Sequence, residues 1–128
     1  MTNEKLNILG SEILDACICV HKEFGPGLLE SVYVIGLLKE FEFRHIKTAT
    51  KVAVPLFYKG FATDKYYEID LLIEDEIILE IKSVNILHPI FTAQLISYLR
   101  LTNKKLGYLI NFNEPKLING FKRTVNRF

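Results

Sequence analysis

The sequence predicts a single mixed α/β domain spanning its 128 residues. Three observations support this. Apolar residues recur every three or four positions through the N-terminal region, and a central stretch alternates with a period of two around an acidic turn. A further helical pattern, followed by an apolar run, comes after Pro89.

The first helix is predicted over Leu6–Phe24, where Leu6, Leu9, Ile13, Cys17, Val20 and Phe24 form one stripe. Gly25-Pro26-Gly27 ends it. A second helix, from Leu28 to about Phe43, is apolar on most sides and is expected to be largely buried, with Glu30 in its first turn and Tyr33 one turn along the same side. Val52–Tyr58 reads as a strand ending at Lys59-Gly60. Thr92–Leu101 reads as a helix with Thr92 as N-cap, placing Gln94 and Tyr98 on one face. Leu106–Phe112 is a strand, Asn113-Glu114-Pro115 a turn, and Thr124–Phe128 a fraying end or short edge strand. The order is α-α-β-β-β-α-β.

The stretch Tyr66–Val84 forms the centre of this pattern, two strands separated by Glu74-Asp75-Glu76. A three-residue turn sets Ile73 opposite Ile77, hence Asp70 opposite Glu80 and Glu68 opposite Lys82. Opposed residues share a face. Tyr67, Ile69, Leu71, Ile73, Ile77, Leu79 and Ile81 then form one apolar face, and the charged residues gather at one end of the other. Two carboxylates about 5 Å apart repel by roughly 3 kcal/mol at an effective dielectric of about 20. Lys82, a divalent cation, or both would relieve that repulsion. A slip of one residue would scatter charge into the apolar face, which fixes the register. The bland reading is an ordinary charge pair at a strand end. The functional reading is a Mg²⁺ or Mn²⁺ site built from Asp70, Glu80 and the Ile81 carbonyl, because hard cations take oxygen ligands. Lys82 would then serve an attacking water or a phosphate.

The remaining candidates have strong structural readings. Glu30 suits a helix's first turn through the helix dipole, and Tyr33 suits the core. Gln94 and Tyr98 are either a half-buried polar pair or a helix face turned to the carboxylates. His21, His45 and His88 lack metal-pair spacing and read as structural or surface residues. The 49% hydrophobic and 24% charged composition is ordinary for a globular domain, and a net charge of +1 argues against a strongly basic nucleic-acid binder. Lys116, Lys122, Arg123 and Arg127, with no acidic residue after Glu114, form a solvated tail or a phosphate-contacting edge. Cys17 and Cys19, two apart on a helix, make neither a disulfide nor a zinc motif. No secretion signal and no membrane-length apolar run is seen, so a cytoplasmic location without membrane association is expected.

Gly27, Glu30 and Tyr33 in GPGLLESVY, followed by EIDLLIEDEIILEIKSV, AQLISYLRLTNKKLGYLINFN and NGFKRTVN, resemble the small bacterial GxxExxY family over nearly the whole chain. That family is placed in the PD-(D/E)xK nuclease superfamily. The resemblance implies a restriction-endonuclease-like core (α-β-β-β-α-β), with a mixed sheet flanked by helices and an extra N-terminal helix. It also implies a metal-dependent nuclease acting on nucleic acid, with DNA expected. Asp70 matches the superfamily's acidic position, Glu80 and Lys82 its E-x-K pair, Glu30 the acidic residue of the first core helix, and Gln94 and Tyr98 the Q-x-x-x-Y element. Three positions depart from the pattern. Ile69 stands where the superfamily name has proline, and Phe91 and Thr92 stand where a histidine and an acidic residue precede Ala-Gln, His88 lying one helical turn earlier. The competing function is an inactive nuclease-like scaffold acting through protein partners. A homodimer is open under either.

Overall fold

The computed structural model describes residues 1–128. Helix α1 (Asn3–Phe24) starts at Thr2, whose hydroxyl oxygen accepts the Lys5 N–H at 3.1 Å. It buries Leu6, Leu9, Ile13, Cys17 and Val20 of the stripe its spacing predicts, whereas Phe24, the last of that stripe, is exposed at the helix end. Gly25, at φ +69°, ends it and donates its N–H to the His21 carbonyl. Helix α2 (Glu30–Phe43) begins two residues later than the pattern suggests and buries only Tyr33, Leu37 and Phe41. The expectation of a largely buried helix is therefore corrected: Leu29 and Ile35 are exposed, and burial follows one four-residue repeat.

Strands β1 (Thr48–Tyr58) and β2 (Phe61–Ile73) form a long hairpin. Its turn is Lys59-Gly60, both left-handed, as the twist of a two-residue hairpin requires. Strand β3 (Ile77–Lys82) pairs antiparallel with β2 through Leu71↔Leu79, Leu72↔Ile78 and Ile73↔Ile77, the register read from the sequence. Helix α3 (Pro89–Thr102) starts before Thr92. Its N-cap is His88, whose Nδ1 accepts the Ile90 N–H at 3.0 Å, and Pro89 occupies the first helical position, where no amide is needed. The helix carries the chain across to β4 (Leu106–Asn111), parallel to β3.

A short 3₁₀ turn (Leu117–Gly120) leads to β5 (Phe121–Val125), antiparallel to β4 and earlier than the expected Thr124–Phe128 edge. Part of the expected basic tail is thus built into the sheet. Arg123 donates to the Asn7 side chain at 3.1 Å and lies over the Phe128 ring. The sheet runs β1-β2-β3-β4-β5. Both cysteines are free, Cys17 buried and Cys19 exposed. No helix is long and apolar enough to cross a membrane.

Two cores flank the sheet. Leu71, Ile73, Ile77, Leu79 and Ile81 pack with α1 and α2. Val54, Ile69, Leu72, Ile78 and Leu109 pack with Leu95, Tyr98 and Leu99 of α3. This corrects the single apolar face expected from Tyr67 to Ile81. Ile69 joins Leu72 on the α3 side, although residues three apart in a regular strand face opposite ways. Tyr67 also sets its ring 5.6 Å from that of Tyr98. The cause lies across the hairpin. Lys51 has φ +50° and is absent from the pairing between Thr50↔Leu71 and Val52↔Ile69. The kink falls opposite Asp70, and alternation restarts on either side of it.

Candidate active site

The ladder between β2 and β3 stops at Leu71↔Leu79. One step further, carboxylates take the place of carbonyls. The Asp70 N–H donates to Glu80 Oε2 at 2.8 Å, and the Ile81 N–H donates to Asp70 Oδ2 at 2.8 Å. Each acid thus binds the backbone of the opposite strand, an acceptor that becomes stronger than the carbonyl it replaces once it is ionised. The Lys82 carbonyl accepts from Phe112 at the end of β4. Since the two polar groups of a strand residue point the same way and alternate along it, the Ile81 carbonyl faces β2, beside Asp70.

Burial makes this pair costly. Glu80 is 6% exposed, and its carboxyl is pushed up to about 8, first by burial and next by the Asp70 charge. The Asp70 amide and Lys82 oppose that rise, and Glu30 adds to it. Asp70 is also raised, mainly by burial, against the pull of the Ile81 amide and Lys82. Tyr98 is raised by burial and then by the charges of Glu80 and Asp70, which sets its hydroxyl within their field.

The other sequence candidates divide. Glu30, the first residue of α2, accepts the Ser83 N–H at 3.2 Å, and Ser83 Oγ donates to the Leu28 carbonyl at 2.6 Å. The exit of β3 is thereby tied to the start of α2. Lys82 is half-buried, its ammonium 4.4 Å from the Phe91 ring centroid and not ion-paired with either acid. Gln94 is exposed, one turn before the buried Tyr98. Phe91, Gln94 and Tyr98 follow helical spacing along the side of α3 that meets Lys82.

Tyr33 lies in the core, as its pattern predicts. It is fully buried, stacked on Phe112 at 4.5 Å, and its hydroxyl donates to the Gly25 carbonyl at 2.6 Å while accepting the Leu28 N–H at 3.1 Å. It holds the loop that delivers Glu30.

A cleft of about 380 Å³ opens between α2 and the β1–β2 strands, lined by Glu30, Ile35, Lys51, Glu68, Asp70 and Ile81. Sequence reading missed Lys51, since nothing in the local pattern announces a left-handed residue in mid-strand. It also missed Asn111, buried at the end of β4, whose amide group bridges the N–H and carbonyl of Val84. A polar residue closing an apolar strand was the available signal.

The donor set suits a hard cation: two carboxylates whose charged forms are penalised, and a carbonyl turned the same way. No three His, Cys, Asp or Glu side chains converge to hold an ion, and Glu30 instead accepts the Ser83 N–H.

No curated protein and no solved structure matches the chain. A family model does match, over residues 7–124, and its description is the PD-(D/E)XK nuclease superfamily. The mixed sheet, the acid on β2 and the E-x-K pair on β3 fall within that span, and the chain belongs to the PD-(D/E)XK nuclease superfamily.

Proposed function

We propose that the protein is a metal-dependent phosphodiesterase that cleaves nucleic acid, with DNA the expected substrate. The observation that supports this most directly is the exchange of hydrogen bonds between Asp70 and Glu80, which holds two acids together where the strands part. Folding alone would favour apolar side chains there, since the pair raises the cost of its own ionisation.

In this reading Asp70, Glu80 and the Ile81 carbonyl hold Mg²⁺ or Mn²⁺, and Glu30 joins them on release from Ser83. A divalent cation held there would polarise the scissile phosphate and acidify a water. Lys82 donates from Nζ to orient the nucleophilic water and later steadies charge on the phosphate oxygens. The Gln94 amide and the Tyr98 hydroxyl, on the facing side of α3, align the phosphate or Lys82. Lys51 adds a second cation on the cleft side of Asp70.

The test is cleavage of labelled DNA with Mn²⁺ by the wild type and by Lys82→Ala. Lys82 is half-exposed and unpaired, so its truncation should leave folding and the Mn²⁺-dependent rise in melting temperature intact while abolishing cleavage. Unchanged cleavage by Lys82→Ala would refute the role given to it. Wild-type protein that neither cleaves nor gains stability with Mn²⁺ would support the scaffold reading instead.

A further inference from the structure

We infer that the β1–β2 hairpin beyond the carboxylate pair is a stacking platform for single-stranded nucleic acid, leading a strand over exposed aromatic rings to the site at Asp70 and Glu80. This rests on the proposed function above and names the form of substrate it takes.

β2 runs to Phe61, whereas β3 pairs with it only from Leu71 to Ile73. The rest of the hairpin is therefore a two-stranded arm extending past the sheet. No left-handed residue interrupts β1 from Val52 to Tyr58, so alternation carries the α3 side of the sheet from Val54 through Leu56 to Tyr58. Phe61 lies opposite Tyr58 and Tyr67 opposite Val54, which places all three rings on that side. Tyr58 and Phe61 are 65% and 73% exposed. Tyr67 is also exposed and tilts against Tyr98, whose hydroxyl lies in the field of the two site acids. The rings thus lie along one side of the arm, Tyr58 and Phe61 at its tip and Tyr67 beside the site.

Several observations favour single-stranded nucleic acid over a second copy of the chain as the occupant. The exposed rings are aromatic, and every base offers a π-face to them. Cations that complement phosphate stand beside them: Lys59 lies 5.5 Å from the Tyr58 ring centroid at the tip, and the exposed Lys65 is two residues before Tyr67. The site itself is acidic, so attraction for a polyanion has to come from such flanking cations. Strand pairing between copies is blunted by Pro55 on the edge strand, by the bulge at Thr63–Lys65 with Asp64 at φ +62°, and by the lysine at the turn. A duplex, its bases stacked inside, offers these rings little.

The test measures binding without cleavage. Fluorescence anisotropy in EDTA would compare a labelled 12-nucleotide single strand with the corresponding duplex, for the wild type, Tyr58→Ala/Phe61→Ala and Lys59→Gln. The two rings are exposed, so the double variant should keep the wild-type melting temperature. It should bind the single strand about tenfold or more weakly, while the wild type prefers single strand to duplex. Lys59→Gln should weaken both and flatten the salt dependence. Equal single-strand affinity of the double variant and wild type overturns the inference, as does a wild type that prefers duplex or binds neither. Light scattering that shows a wild-type dimer dissociated by the double variant, with nucleic-acid affinity unchanged, would assign the arm to a second copy. Binding as described with no cleavage under Mn²⁺ would sink the phosphodiesterase reading and leave the platform standing, whereas cleavage unaffected by the double variant together with unchanged binding would do the reverse.

Discussion

Replacing Glu80 by Gln should make the protein more stable at neutral pH. The carboxyl rises from its ordinary 4.5 to about 8 because it is buried beside Asp70. Below pH 4.5 the group is protonated in both folded and unfolded chains, and no penalty applies. Between 4.5 and about 8 the unfolded chain has lost the proton and the folded chain still holds it, so stability falls as pH rises and levels off above 8. That displacement, at about 1.36 kcal/mol per pH unit, corresponds to roughly 5 kcal/mol as an upper bound. If one third is realised, about 1.5 kcal/mol, the melting temperature moves by roughly 5 °C for a domain of this size. Gln has nearly the same shape and keeps a carbonyl oxygen for the Asp70 N–H, so the substitution removes the charge without breaking the link between strands. The assay is differential scanning fluorimetry or urea unfolding of both proteins from pH 4.5 to 8.5, without divalent metal. The variant should gain on the wild type steadily through that range. A wild-type-minus-variant difference that stays flat with pH would refute the claim that burial beside Asp70 burdens Glu80.

Mn²⁺ should raise the melting temperature of the wild type at pH 7.5 and more at pH 8.5, since the acids must lose protons to bind it; Asp70→Asn should lose most of the response, and an undiminished rise would place the metal elsewhere. Lys51→Val should destabilise by about 1–2 kcal/mol in chemical denaturation although valine favours strands, because a β-branched residue resists φ +50°; a neutral or stabilising result would mean the kink is dispensable. Tyr33→Phe removes the bonds to Gly25 and Leu28 within a buried stack, and should cost about 1–3 kcal/mol with cleavage falling through Glu30; unchanged stability would disprove the loop-holding role.

The register of the central hairpin was legible because a short turn and an apolar face leave one pairing that keeps charge out of the core, and Leu71↔Leu79 through Ile73↔Ile77 follow it. Alternation failed at Ile69 for a reason outside its own strand, namely the left-handed Lys51 across the ladder. The start of α3 was misread because His88, an uncommon cap, does the work expected of Thr92. The proximity of Asp70 to Glu80 could be derived from spacing, but the cation–ring contact of Lys82 with Phe91 joins a strand to a helix that no local rule relates. Tyr33 was readable as core from its pattern; its hold on the Gly25–Leu28 loop was not, since that depends on where the hydroxyl falls.

The amides of Asp70 and Ile81 end on side-chain oxygens, not on carbonyls, and this makes them gauges of the state of the acids. An ionised carboxylate grips an amide proton harder than a protonated one does, so protection against exchange at these two positions, taken relative to the intrinsic base-catalysed rate, grows as the acids ionise and shrinks as they are neutralised. A nuclear magnetic resonance spectrum carries both signals without any label at the site. Titration of the acids can therefore be followed from the backbone, in the intact protein and without substrate. Neighbouring amides in the regular ladder, such as those of Ile73 and Ile77, supply a built-in reference whose protection the same titration should leave unchanged.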